Sequence, residues 1–164
     1  MTPARVLVLG LGNDILTDDA VGLHIAAAVR PRLASIANVE VKATTEMGLA
    51  LLDEIAGHEG LVLVDAVQTG KVPAGHIHEM DPGEFTGVLT TVPHFLGIRE
   101  TLALGNLLGL PMPDRVKIVA VEVEDPFTLG TTLTADVAAA VAAAADRVTA
   151  LARALALSAP AAPA

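Results

Sequence analysis

The chain has 164 residues, no cysteine and a formal net charge of −9. Without cysteine there are no disulfides, thiolate ligands or cysteine nucleophiles, so any metal site must use carboxylate, imidazole or carbonyl groups. The acidic balance and the scattered Lys and Arg residues argue against a nucleic-acid partner, because phosphate binding needs clustered positive charge. No apolar run approaches the ~20 residues of a membrane span, and the start lacks a signal peptide's apolar region. We therefore expect a cytoplasmic protein that does not bind membranes.

Short aliphatic runs alternate with longer helical patterns along the chain. The predicted strands occupy 5–10, 39–42, 60–67, 75–80 and 116–123. The predicted helices occupy 18–32, 46–56, 93–108 and 134–157. This alternation predicts a layered α/β fold with a mostly parallel sheet. We expect a single domain over 1–157, followed by a disordered Pro/Ala tail over 158–164.

The first predicted strand ends in a Gly-x-Gly turn, Gly10 to Gly12, that leads to Asp18 and Asp19. The pattern does not fit a dinucleotide-binding loop, because Ile15 stands where the third glycine belongs. One aspartate is enough to cap the helix that follows, and we assign Asp18 to that helix N-terminus. Asp19 is then the candidate functional residue, although both could serve the helix alone.

Two further residues stand at comparable positions. Asp65 ends an otherwise apolar strand, where a carboxylate must be paired, hydrogen-bonded or metal-bound. His94 follows Pro93 at a predicted helix start, where a neutral imidazole suits metal ligation. The simpler alternatives are a loop cap for Asp65 and a packing role for His94. Together with Asp19 they would form an O/O/N site for a divalent metal, since ligands bind beyond the carboxyl ends of parallel strands.

Other titratable side chains are interpreted as structural or solvent-facing. His76 and His78 share one face of a predicted edge strand, where solvent exposure is commoner than metal binding. The structural histidines are His24 and His58. The acidic residues after the last strand, interpreted as a solvated or loop-facing set, are Glu122, Glu124 and Asp125.

Four segments of the chain form a recognisable set: the opening motif over 10–22, Leu61–Val67, Pro93–Gly97 and Leu129-Gly130. In their order and spacing they resemble the hydrogenase maturation endopeptidases. The resemblance implies a three-layer α/β/α sandwich around a mixed five-stranded sheet. It also implies an endopeptidase that removes a C-terminal extension from the nickel-loaded large subunit of a [NiFe] hydrogenase. The family's metal-contacting positions match Asp19, Asp65 and His94, and the nickel is supplied by the substrate.

The chain departs from the family pattern after the second strand. Many relatives carry an Asp-Gly-Gly-Thr-like turn there, whereas this chain has Thr45 and Glu46. These two residues are candidates for substrate recognition, although Glu46 could simply favour the start of the second helix. We expect a monomer that acts on the hydrogenase precursor.

Two other functions are compatible with parts of the pattern. One is a non-catalytic, nickel-dependent binding or chaperone module for the same precursor. The other is an unrelated hydrolase such as a peptidyl-tRNA hydrolase, since those enzymes also open with an apolar strand and a Gly-Leu-Gly-Asn turn. The charge of −9 speaks against a tRNA-binding surface.

Overall fold

The computed structural model describes residues 4–82, 84 and 98–158. Its strands are β1 (Val6–Leu11), β2 (Val39–Thr44), β3 (Gly60–Val67), β4 (Ile77–Met80) and β5 (Arg115–Glu122). Its α-helices are α1 (Val21–Leu33), α2 (Leu51–Ile55), α3 (Ile98–Leu107) and α4 (Ala135–Leu157). Short 3-10 turns at Thr17–Ala20 and Gly48–Ala50 precede α1 and α2.

The five strands form one mixed sheet in the order β2-β1-β3-β5-β4. The first four in that order are parallel, and β4 pairs antiparallel with β5. The central strands β1 and β3 are buried along their whole length. This explains their continuous apolar sequences, because a parallel strand covered on both faces has no polar side to show.

Each face of the sheet packs against its own helices. Val8, Val64 and Val121 belong to the apolar cluster that includes α1 and α4. Leu9 and Leu63 belong to the opposite cluster, which includes residues of α2 and α3. The predicted three-layer α/β/α sandwich is therefore confirmed.

The helix bounds differ from the predicted ones in two places. The first helix begins at Val21, because Thr17–Ala20 form a 3-10 turn before it. The second is only Leu51–Ile55, preceded by a 3-10 turn that begins at Gly48 with a φ of +63°. The predicted start of the third helix at 93 lies outside the described residues, and so does the predicted tail apart from Ser158. Among the described helices, none has the length and apolar character needed to cross a membrane.

Candidate active site at the carboxyl edge of the sheet

Three glycines allow the chain after β1 to approach the sheet closely. A Cβ on Gly10 would stand 2.4 Å from the backbone oxygen of Gly22, and one on Gly12 would stand 2.3 Å from that of Asp19. A Cβ on Gly22 would stand 2.2 Å from the oxygen of Leu11 and 2.6 Å from that of Val64. Such distances exclude any side chain, so these glycines serve close backbone packing.

Thr17, which directly precedes the two aspartates, has a strained backbone conformation. Thr17 has a φ of +44°, a conformation that a β-branched residue rarely adopts. The loop after β5 holds it there, because Thr17 N donates to Gly130 O at 3.0 Å and its hydroxyl donates to Thr128 O at 2.6 Å. The 3-10 turn that follows carries Asp18 and Asp19 into the protein interior.

Asp18 does not cap the helix that follows it, so the assignment to that N-terminus is wrong. Its fully buried carboxylate accepts the backbone N–H groups of Glu124 (3.1 Å), Asp125 (2.9 Å) and Thr134 (2.8 Å). The hydroxyl of Thr134 also donates to it, at 2.8 Å. Thr134 precedes α4, so Asp18 places its negative charge at the start of a helix more than a hundred residues away. It joins the β1–α1 and β5–α4 connections.

We expect Asp18→Ala to lower the free energy of unfolding by about 2–4 kcal/mol, because buried backbone donors would lose a charged acceptor. Urea unfolding followed by circular dichroism measures this loss. The matched control is Asp14→Ala, an exposed residue of the same loop, which should stay within about 0.5 kcal/mol of wild type. Equal stability of the two variants would contradict a joining role for Asp18.

Asp19 and Asp65 lie together at the carboxyl edge of the sheet. The residue Asp19 is 4% exposed and Asp65 is fully buried. Burial raises the pKa of Asp65 well above the usual aspartate range, and the nearby charge of Asp19 raises it further. The N–H of Ala66, which donates to Asp65 Oδ1 at 2.7 Å, opposes that rise. A divalent cation would offset both the desolvation and the repulsion between these carboxylates.

The third predicted ligand, His94, lies outside the described residues. Within the described ranges, no group of three or more His, Asp or Glu side chains is arranged to hold a metal ion. The nearest described element after His94 is α3, whose first residue, Ile98, packs in the same apolar cluster as Leu63 and Val67. Side chains alternate along a strand, so Asp65 shares the sheet face of Leu63 and Val67. The three-ligand site stays a prediction.

Thr45 and Glu46 are exposed and follow the carboxyl end of β2, on the same edge of the sheet as Asp65. The backbone N–H of Glu46 donates to Thr44 Oγ1 at 3.0 Å. The α-helix begins five residues after Glu46. Their proposed part in substrate recognition stays a prediction.

Sequence reasoning missed a buried network around Glu122. This residue is 2% exposed rather than solvated, and it shares a sheet face with Ala120, the register partner of Asp65. Its carboxylate accepts the hydroxyl (2.6 Å) and N–H (2.7 Å) of Thr69, and it lies 3.2 Å from Nε2 of His78. His78 is therefore a partner of a buried carboxylate and not simply a solvent-facing residue. The contact between His78 and Glu122 follows from the pairing of β4 with β5. The alternating sequence of β4 by itself does not reveal it.

The sequence predicts structural roles for His24 and His58. His24 is exposed on α1. His58 is buried, and its ring nitrogens lie 3.1 Å from Ile55 O and 3.0 Å from Glu40 Oε2, which supports a structural role. The hydrogen bond to His58 lowers the pKa of Glu40. His58 also lines a cavity of about 520 Å³ beside the amino ends of β1 and β2, at the edge of the sheet opposite Asp65.

Comparison with known proteins extends these observations. A family model described as hydrogenase maturation protease matches residues 23–151. The chain is 32% identical over 121 residues to the hydrogenase 2 maturation protease of Escherichia coli, covering 71% of this chain and 72% of that protein.

Two solved structures share the fold over most of both chains. The hydrogenase maturating endopeptidase HybD from E. coli superposes with a TM-score of 0.77 at 32% identity, covering 91% of this chain and 92% of that one. The [NiFe] hydrogenase maturation protease HybD from Thermococcus kodakarensis superposes with a TM-score of 0.69 at 25% identity, covering 90% and 99%. The sheet that carries Asp65 and the turn that carries Asp19 thus belong to a fold found in known proteases.

Proposed function

The chain belongs to the hydrogenase maturation protease family, and we propose that it cleaves the precursor of a [NiFe] hydrogenase large subunit in a nickel-dependent manner. As a member it is a peptidase that acts on the C-terminal extension of that precursor. The nickel is part of the substrate, and Asp19, Asp65 and His94 are the side chains we assign to contact it. Cleavage adds one water across the peptide bond, leaving a new carboxylate on the subunit and an amine on the released peptide.

The observation that carries the nickel dependence is the juxtaposition of two buried carboxylates at the carboxyl edge of the sheet. A cation brought by the substrate would stabilise both ionised groups. Oxygen and imidazole donors suit a metal already held by the precursor, because they offer no thiolate of their own. The site thereby favours the nickel-loaded precursor over the empty one.

The role proposed for these residues is positional. Contacts from both carboxylates would hold the bound nickel in one position. The scissile bond of the precursor would be positioned with it. Holding the reacting groups in place lowers the activation barrier even where no side chain takes part in the chemical step. The metal itself can polarise a carbonyl or supply an activated water.

The test compares precursor loaded with nickel and precursor freed of it, each incubated with the wild-type protein. We expect the loaded precursor to be shortened at its C terminus and the nickel-free precursor to stay intact, as measured by intact-protein mass spectrometry. His94→Ala should abolish the shortening. Its matched control is His24→Ala, which changes an exposed histidine of α1.

Three outcomes would contradict parts of this proposal. Equal cleavage of both precursors would overturn nickel dependence. Normal processing by His94→Ala would remove His94 from the site. Stable binding of the loaded precursor without shortening would instead support a non-catalytic module.

A further inference from the structure

Three large apolar side chains are exposed on the connections that follow β1 and β5. Ile15 is 53% exposed, Phe127 is 62% exposed and Leu129 is 75% exposed. Ile15 belongs to the connection after β1 and the other two belong to the connection after β5. We call these three residues the apolar rim.

Backbone hydrogen bonds join the two connections that carry the apolar rim. Gly130 N donates to Ile15 O at 2.9 Å, and Thr17 N donates to Gly130 O at 3.0 Å. Leu16 and Gly130 form a β-bridge, and the Asp18 carboxylate binds both ends of the second connection. The apolar side chains therefore project from an ordered platform. Exposed apolar side chains that form a contiguous patch commonly mark a binding site.

The charge on the same connections is entirely negative. Residues 12–20 and 123–134 include five aspartates and glutamates but no Lys, Arg or His. Asp14 and Glu124 are exposed. Hydrogen bonds from Thr128 and Phe127 lower the pKa of Asp125, which therefore stays ionised at neutral pH. A complementary partner would pair an apolar contact with basic side chains.

We propose that the apolar rim docks a segment of the hydrogenase precursor that presents apolar side chains flanked by Lys or Arg. The inference rests on the proposed function and identifies the surface that delivers the substrate to Asp19 and Asp65. Ile15 stands four residues before Asp19 on the same connection, and the N–H of Asn13 donates to Asp19 O at 3.3 Å. A segment docked on the rim would therefore approach the turn that carries Asp19. Docking at the rim sets affinity for the precursor, whereas the buried aspartates act on the bound substrate.

Steady-state cleavage of the nickel-loaded precursor by the double variant Phe127→Ser/Leu129→Ser tests the apolar part. We expect KM to rise at least about tenfold with kcat little changed, which corresponds to about 1.4 kcal/mol of binding. Because both side chains are exposed, the melting temperature should stay close to that of wild type.

The matched control for the rim is Leu157→Ser. Leu157 is 88% exposed at the end of α4, where Leu155 O accepts a hydrogen bond from Arg115 at the start of β5. It thus lies at the opposite edge of the sheet and should leave KM unchanged. If the wild-type protein cleaves the precursor and the rim variant does so with an unchanged KM, the docking inference is overturned but the proposed function is not. A wild-type protein that neither binds nor cleaves the precursor would overturn the proposed function and this inference with it.

The basic character of the partner is tested separately with Asp14→Asn/Glu124→Gln. We expect KM for wild type to rise with sodium chloride, because salt screens the attraction between exposed charges. The charge variant should show a several-fold higher KM at low salt and a weaker salt dependence. Asp114→Asn, an exposed aspartate that precedes β5, is the control and should behave as wild type. Identical salt dependence in wild type and the charge variant would exclude a basic partner.

Discussion

Asp65→Asn is expected to abolish cleavage of the nickel-loaded precursor and at the same time to raise the melting temperature at neutral pH. The two effects have one cause, since the residue is a fully buried carboxylate close to another carboxylate. Loss of a group that only supports metal ligands lowers activity by about 10–100-fold, so loss of a contacting carboxylate should cost about 100-fold or more. The amide removes the desolvation of a charge and the repulsion from Asp19.

The stability effect has a defined pH dependence. Because the pKa of Asp65 is raised in the folded protein, the native state binds a proton more tightly than the unfolded chain. Stability due to this group therefore falls as pH rises from the ordinary aspartate range through the raised pKa. The advantage of Asp65→Asn should be greatest at neutral pH and should shrink as the pH falls towards the ordinary aspartate pKa of about 3.9.

Melting curves of wild type and variant between acidic and neutral pH measure this dependence, and a shift of about 1 kcal/mol moves the melting temperature by roughly 2–4 °C in a domain of this size. Asp53→Asn, an exposed carboxylate on α2, is the control and should change neither activity nor stability. A variant that melts below wild type at neutral pH would contradict the view that the charged Asp65 carboxylate destabilises the folded protein.

Gly22→Ala is expected to produce the largest loss of stability from a single added methyl group. In the interior of an ordinary helix, exchange of Gly for Ala stabilises by about 1 kcal/mol. Here the new Cβ would stand 2.2 Å from Leu11 O and 2.6 Å from Val64 O, and both atoms belong to backbone of the central strands. We therefore expect a loss of about 3 kcal/mol or more, measured by urea unfolding.

Gly48→Ala separates this clash from the cost of backbone conformation. Gly48 has a φ of +63° but no atom within 4 Å of its ideal Cβ position. Its replacement should cost about 1 kcal/mol from the backbone alone.

We also expect Gly22→Ala to slow precursor cleavage, because the close approach of Gly22 to Val64 sets the distance between the Asp19 turn and β3. A stabilised Gly22→Ala protein would contradict this packing.

Most of the strands and helices could be predicted from the sequence. The apolar runs of β1 and β3 are unambiguous because both strands are buried on both faces, and the long Ala-rich pattern of α4 is as clear. The observed start of α1 at Val21 differs from the predicted start at Asp18, because the sequence around Asp18 resembles a local helix cap. Its hydrogen-bond partners lie in the connection after β5, and no local pattern reveals a contact across that separation.

The position of Asp65 at the end of an apolar strand, and that of Asp19 after a Gly-x-Gly turn, could be read from the sequence alone. Parallel strands bring their carboxyl ends to one edge, so the sequence by itself determined that both carboxylates lie there. Only the tertiary structure decided which aspartate joins two loops and which stands beside Asp65. It also decided that Glu122 is buried beside His78 and that backbone hydrogen bonds join the connections that carry Ile15, Phe127 and Leu129. The reason is physical: strand order and loop-to-loop hydrogen bonds join residues far apart in the chain, whereas periodicity reports only on neighbours.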